Sequence, residues 1–158
     1  MTTIAIQNGL VAVDSQLTGG SHVVRIQKLM RLPDGGVVTG AGAWARAYAG
    51  MCWVANGERG EPPDLDGAQV VIVRPDCSIW VAEEGWPAYP ILGTVYTSGC
   101  GSDLARLLMS NGADPVHAVA EACEHDAFSS GPIYSMQARP VDEGLTIHEV
   151  KVSRKSKR

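Results

Sequence analysis

Apolar and polar positions change period several times along the chain. Residues 2–6 and 10–14, TTIAI and LVAVD, are two β-rich runs separated by Gln7-Asn8-Gly9. Asn-Gly between such runs is the strongest short hairpin signal, so the chain is expected to open on a β-hairpin. Residues 22–32 (HVVRIQKLMRL) read as a further extended piece, Pro33 to Gly36 as a tight turn and Val37 to Thr39 as the returning strand. The period then becomes helical. In GAGAWARAYAGMCWVANG, Trp44, Ala47, Tyr48, Met51 and Val54/Ala55 recur at three and four, and Gly57 suits the C-terminal end.

A loop over 57–68 leads to a second hairpin, Gln69–Arg74 and Cys77–Glu83, turning at Pro75-Asp76. After a Gly93-centred stretch, SGCGSDLARLLMSNG is a glycine-rich lead into a short amphipathic helix. Asp114-Pro115 supplies an N-cap and a first-turn proline for another helix, expected to run to about Phe128. Residues 132–138 and 145–152 read as strands around Asp142-Glu143-Gly144. Strands, helix, strands, two helices, strands is an α+β order, not a series of βαβ units.

Composition narrows the picture. A chain of 158 residues, 45% apolar and 19% charged, suits one domain with a full core, expected over 1–150 and followed by a basic tail over 151–158. The last eight residues, KVSRKSKR, hold five of the 13 basic side chains, which leaves eight basic against 17 acidic residues in the body, a net −9. An acidic body lacks the cationic face that nucleic acid requires. Apolar runs are broken well short of about 18 residues, and the start lacks the basic flank and apolar core of a signal peptide. No membrane and a cytoplasmic location are the expectations. Cys52, Cys77, Cys100 and Cys123 form no CxxC pair, so reduced and mostly buried thiols are expected, with no metal and no cofactor. His117, Glu121 and His125 share a helical face but form no HExxH string, and a polar surface is the plainer reading.

With the elements placed, five ordered motifs resemble the proteasome β-subunit family of amino-terminal-nucleophile hydrolases and its bacterial relative, the peptidase of a two-part ATP-dependent protease. They are MTTIAI with AVDSQ, QKLMRL, TGAGA, YTSGCGSDLA and DAFSSG. The resemblance implies a four-layer αββα sandwich. It also implies a threonine peptidase whose nucleophile is Thr2 after removal of Met1, with Lys28 as the neighbouring cation, Asp14 as the carboxylate holding it and Gly42 as oxyanion donor. Ser98, Asp126 and Ser129 match the family's polar set around the threonine amine. An amino-terminal threonine needs no histidine, because its own amine can take the hydroxyl proton. Polypeptide substrates, a homo-oligomer and an ATP-dependent unfoldase partner are implied in the same way.

The chain departs from the family in two places. Ala45-Arg46 stands where the family has an alanine-aspartate pair, and the 26 residues between Gly42 and Gln69 leave room for one full helix where the family has two, which shortens the first helical layer. A catalytically silent structural subunit and a small-molecule amidase using the same nucleophile remain alternatives. Trp44, Tyr48, Met51 and Trp53 give the helix more large apolar side chains than one face can bury, so it is expected at a subunit contact.

Overall fold

The computed structural model describes residues 1–141 and 150–152. The opening hairpin is present as β1 (Thr3–Gln7) and β2 (Leu10–Val13), and Asn8 and Gly9 both have positive φ, 49° and 81°. That backbone matches the right-handed twist of the flanking strands, which is why Asn-Gly stands there. The strand pairs Ile4 with Val13, Ile6 with Val11 and Ala5 with Ala12, so one face is branched and large and the other small. The large face meets a second sheet, and the alanine face lets helices approach closely.

The chain continues through β3 (Gln16–Gly19), β4 (His22–Arg25), β5 (Leu29–Arg31), β6 (Val37–Gly42) and α1 (Trp44–Ala55). It then forms β7 (Ala68–Val73), β8 (Ile79–Glu83), β9 (Tyr89–Ile91), β10 (Val95–Gly99), α2 (Ser102–Ser110) and α3 (Pro115–His125). β11 (Ile133–Gln137) and β12 (Val150–Val152) are the last described strands. One five-stranded antiparallel sheet has the order β10-β1-β2-β11-β12 and the other β5-β6-β7-β8-β9, while β3 and β4 form a separate two-stranded ribbon.

Three apolar clusters hold these elements together. Ile4, Ile6, Val11 and Val13 from the first sheet pack with Leu29, Val37, Val71, Val73 and Ile79 from the second. On the far side of the second sheet, Val70 and Ile72 lie under Ala47, Met51 and Val54 of α1. Ala5 and Ala12 lie under Ala105, Ala118, Val119 and Ala122 of α2 and α3. β7 reads AQVVIV because both of its faces are covered.

Several boundaries differ from the sequence expectation. The extended stretch 22–32 is broken in two between β4 and β5, and β3, β9 and β10 appear where no strand was expected. β6 runs on to Gly42 instead of stopping at Thr39. Asp114 caps α3 as expected, accepting the His117 N–H at 2.9 Å, but the helix stops at His125. There Asp126 turns extended, and its Oδ1 accepts the Phe128 N–H at 3.0 Å, a local bond that competes with another helical turn. The expected turn at Asp142-Glu143-Gly144, the first part of the strand expected over 145–152, and tail residues 153–158 lie outside the described residues. Lys151 and Val152 pair with Tyr134 and Ile133 of β11. Among the described residues no helix is long and apolar enough to cross a membrane.

Most of the large apolar surface expected to be left over on α1 is covered within the chain. Met51 is fully buried in the core of the same chain, and Trp53 is half-buried against Trp86 at a ring separation of 4.7 Å. Trp44 packs on the same cluster, and only Tyr48 of the four stands exposed.

Candidate active site

Thr2 before β1, Asp14 after β2 and Lys28 before β5 come together at one end of the first sheet. Asp14 follows β2 directly and is fully buried. Its Oδ1 accepts the Thr3 N–H at 2.9 Å and its Oδ2 the Gln16 N–H at 3.0 Å. Lys28 precedes β5, is also fully buried, and donates from Nζ to Asp14 Oδ1 and Oδ2 at 3.0 and 3.2 Å. The same ammonium donates to the Met1 carbonyl at 2.7 Å. Thr39 of β6 fixes the lysine's backbone, its Oγ1 donating to the Lys28 carbonyl at 2.7 Å. Burial alone would neutralise such a pair: it pushes the Asp14 carboxyl up and the Lys28 ammonium down, and their mutual attraction works against both shifts. Four hydrogen bonds to one carboxylate, two of them from backbone amides, favour the ionised form.

Thr2 is 3% exposed and lies between Met1 and the first residue of β1. Its carbonyl accepts the Cys100 N–H at 2.9 Å across the end of β10. This contact explains the glycine before Cys100. Gly99 has φ 89°, and a Cβ on it would lie 1.7 Å from the Thr2 carbonyl oxygen, so only glycine lets the two chains close. The Cys100 Sγ lies 3.5 Å from the Thr2 carbonyl oxygen, placed to donate to it, and 3.2 Å from Ser129 Oγ. Ser129 Oγ is in turn 2.7 Å from Thr3 Oγ1, which also accepts the Gly101 N–H at 3.1 Å.

Asp126 completes this polar group. Its Oδ2 is buried without a hydrogen bond of good geometry, while the Cys100 thiol and Ser129 hydroxyl stand close to it. Burial raises the Asp126 pKa, but those two groups and the Phe128 N–H outweigh it, leaving the carboxyl below its usual range. Burial, aided by the Asp126 charge, pushes the Cys100 thiol up, and the Cys123 thiol is pushed to about 12 by burial first and the Asp14 and Asp126 charges next. The cysteines are less hidden than the sequence suggested: Cys52, Cys77 and Cys123 are half-buried and Cys100 is exposed.

Two of the sequence-derived positions are held by partners outside the hydrogen-bonded group around Thr2. Gly42, at the end of β6, is three residues beyond Thr39, roughly 10 Å along the strand. It is exposed, has φ 86°, and a Cβ on it would approach the Gly67 carbonyl oxygen to 2.3 Å. That same oxygen accepts the Ala43 N–H at 2.7 Å, so the turn from strand to helix is fixed by the loop before β7. Arg46 holds that loop, its guanidinium reaching Asp66 Oδ2 at 2.8 Å and Asp64 Oδ2 at 3.4 Å. Gly42→Ala is expected to destabilise the fold by about 2 kcal/mol or more, from positive φ and backbone overlap together, as a denaturant midpoint would register.

The Ser98 hydroxyl bonds across to the second sheet. The residue pairs with Ile4, so alternation turns it to the side between the sheets, where its Oγ donates to Gln69 Oε1 at 2.5 Å. Cys100, two residues on, is the side chain that β10 and its turn deliver beside Thr2 and Ser129. The reading of the sequence missed it, together with Thr3 and Gln16. The residue after a glycine where a strand passes into a helix was the available signal.

This arrangement sits on a fold that solved structures share. Among solved structures the chain is similar to BPH of Thiobacillus denitrificans, determined in complex with epoxomicin, at a TM-score of 0.62 and 17% identity over 87% of this chain and 100% of that one. It is also similar to eukaryotic HslV from Trypanosoma brucei, at a TM-score of 0.64 and 19% identity over 85% of this chain and 97% of that one. No protein-family model matches the sequence, and no curated protein is similar enough to match it.

Proposed function

We propose that the chain is a threonine-type peptidase of four-layer αββα architecture. Thr2 is its nucleophile once Met1 is removed, and polypeptide is its substrate. The observation that carries this reading is the buried Lys28 ammonium, held by Asp14 and aimed at the carbonyl that precedes Thr2. An ammonium in that place disfavours protonation of a freed Thr2 amine and so keeps it a base near neutral pH.

The chemistry then balances within the site. Thr2 Oγ1 bonds to the substrate carbonyl carbon while its proton passes to the Thr2 amine, directly or through one water. The oxyanion formed is met by the Gly42 N–H. On collapse the carbon–nitrogen bond breaks, the amine returns its proton to the departing nitrogen, and an ester on Thr2 remains for water to hydrolyse. Ser129, Asp126 and Cys100 form the polar wall beside the amine. In this reading Cys100 takes the part expected of Ser98. Ser98→Ala is therefore expected to leave peptide turnover within about threefold of the parent, and Cys100→Ala to lower it about tenfold or more.

The site is proposed to work inside a homo-oligomer in the cytoplasm, where an ATP-dependent unfoldase would deliver substrate. Epoxomicin, bound by the Thiobacillus protein, is the proposed inhibitor. A silent subunit is the second reading, and it holds if Met1 is retained. While Met1 is in place its carbonyl occupies a Lys28 donor, and the Thr2 nitrogen is an amide without basicity. Turnover of fluorogenic peptides by the purified chain tests the proposal. Epoxomicin-sensitive hydrolysis supports it. A chain that keeps Met1 and cleaves no peptide is silent, and one that cleaves only small amides is an amidase.

A further inference from the structure

The Gln16 side chain has had no part in the site described so far, yet it joins the two halves of the site. The residue is 7% exposed, and both ends of its amide are used. Nε2 donates to the Ala127 carbonyl at 3.2 Å and to Thr18 Oγ1 at 3.1 Å, while Oε1 accepts from Ser130 Oγ at 2.5 Å. Its backbone N–H makes one of the four hydrogen bonds to Asp14. The neighbouring Ser15 adds a parallel tie, its N–H donating to the Ser130 carbonyl at 3.1 Å and its Oγ at 3.4 Å. These bonds join the segment after β2 to the loop between α3 and β11, more than a hundred residues later. That loop carries Asp126 and Ser129.

We propose that Gln16 is a positioning residue that fixes the Ser129 loop against the Asp14–Lys28 pair and so sets the geometry around Thr2. Its catalytic consequence rests on the peptidase reading above; its structural consequence does not. The residue type follows from the bonds. Two donors and an acceptor are needed at the end of one planar group, close to a buried carboxylate. Glutamate would lose both donors and set a second negative charge beside Asp14. Leucine would leave the Ala127 carbonyl and the Ser130 hydroxyl without these partners. The tie to Thr18 concerns the β3–β4 ribbon, whereas those to Ala127 and Ser130 concern the site, so a loop-side variant separates the two.

The test uses Gln16→Leu and Ser130→Ala in the full chain, singly and together, with three readouts. Exchange of the Ser15 amide, which bonds to the Ser130 carbonyl, reports the tie itself and is expected to rise about tenfold. Alkylation of Cys100 by iodoacetamide, followed by peptide mass mapping, reports the loop through the Sγ–Ser129 contact and is expected to change at least about threefold. In peptide hydrolysis, kcat should fall about tenfold with KM within about twofold, because positioning is lost and binding is not. The double variant should be no worse than the poorer single one, since Ser130→Ala cuts a bond that Gln16→Leu already removes.

Unchanged Ser15 exchange and Cys100 alkylation in folded variants would overturn the tie, whatever the activity. A loosened loop with unaltered kcat, in an enzyme that Thr2→Ala silences, would overturn the positioning role. Should Gln16→Leu fail to fold, Ser130→Ala carries the same three comparisons. A parent chain without Thr2-dependent turnover would sink the peptidase reading, while exchange and alkylation would still decide the tie.

Discussion

Replacing Lys28 by methionine is expected to destabilise the protein by about 3–5 kcal/mol and to abolish peptide turnover. Methionine keeps much of the stem's bulk and removes the charge. Lys28 and Asp14 are both fully buried, so the change leaves a carboxylate in the interior with two backbone donors and no counter-ion. The Asp14 carboxyl, already raised by burial against the lysine's attraction, is then raised further. In the variant the folded protein binds a proton more tightly than the unfolded chain does. Stability therefore falls as pH rises from the unfolded carboxyl's pKa through the folded one's, and is regained on acidification. Denaturant midpoints of the variant and parent should converge toward acidic pH. Adding Asp14→Asn should recover much of the loss, because no buried charge then remains. A single variant as stable as the parent at neutral pH would mean that the pair is not buried as described.

Thr2→Ala carries the second large effect. It is expected to lower peptide turnover at least about a thousandfold, since the bond-forming oxygen is gone and no neighbouring group can replace it. Stability should change by no more than about 1 kcal/mol. The carbonyl, not the hydroxyl, ties Thr2 to Cys100, and the adjoining bonds of Thr3 and Asp14 are untouched. Thr2→Ser should keep measurable turnover, which separates loss of the nucleophile from loss of side-chain packing. Thr3→Ala is the informative control: Thr3 Oγ1 is engaged by Ser129 and Gly101 and belongs to the wall of the site.

Much of this architecture could be read from residue pattern because burial and pattern agree there. The Asn-Gly hairpin, the α1 period and the Asp114-Pro115 cap are local signals that tertiary contacts reinforce. The missed strands lack such agreement. β3 is buried only at Gln16, and β9 and β10 are largely exposed or half-buried, so no alternation marks them. The end of α3 was misplaced because helix propensity continues past Asp126, and only the side-chain bond to Phe128 favours the extended turn there.

The site shows the same division. Thr2, Asp14, Lys28 and Ser129 were recognisable from ordered motifs, and the structure gathers them around the amino terminus. That Cys100 lies beside the Thr2 carbonyl follows from the register of β10 on β1, a long-range property that no local string encodes. Burial of the Lys28–Asp14 pair was equally hidden. From sequence alone a lysine variant would be expected to fold without difficulty, and zero exposure of both partners revises that.

Thr2 as a free amino-terminal nucleophile is most directly tested by the intact mass of the purified chain after incubation with an electrophilic peptide that modifies hydroxyl nucleophiles. The account predicts a chain that has lost one methionine residue and gained a single adduct on its amino-terminal peptide, with no adduct on Thr2→Ala. A chain that retains Met1 and gains no adduct, or gains one that survives Thr2→Ala, would contradict it.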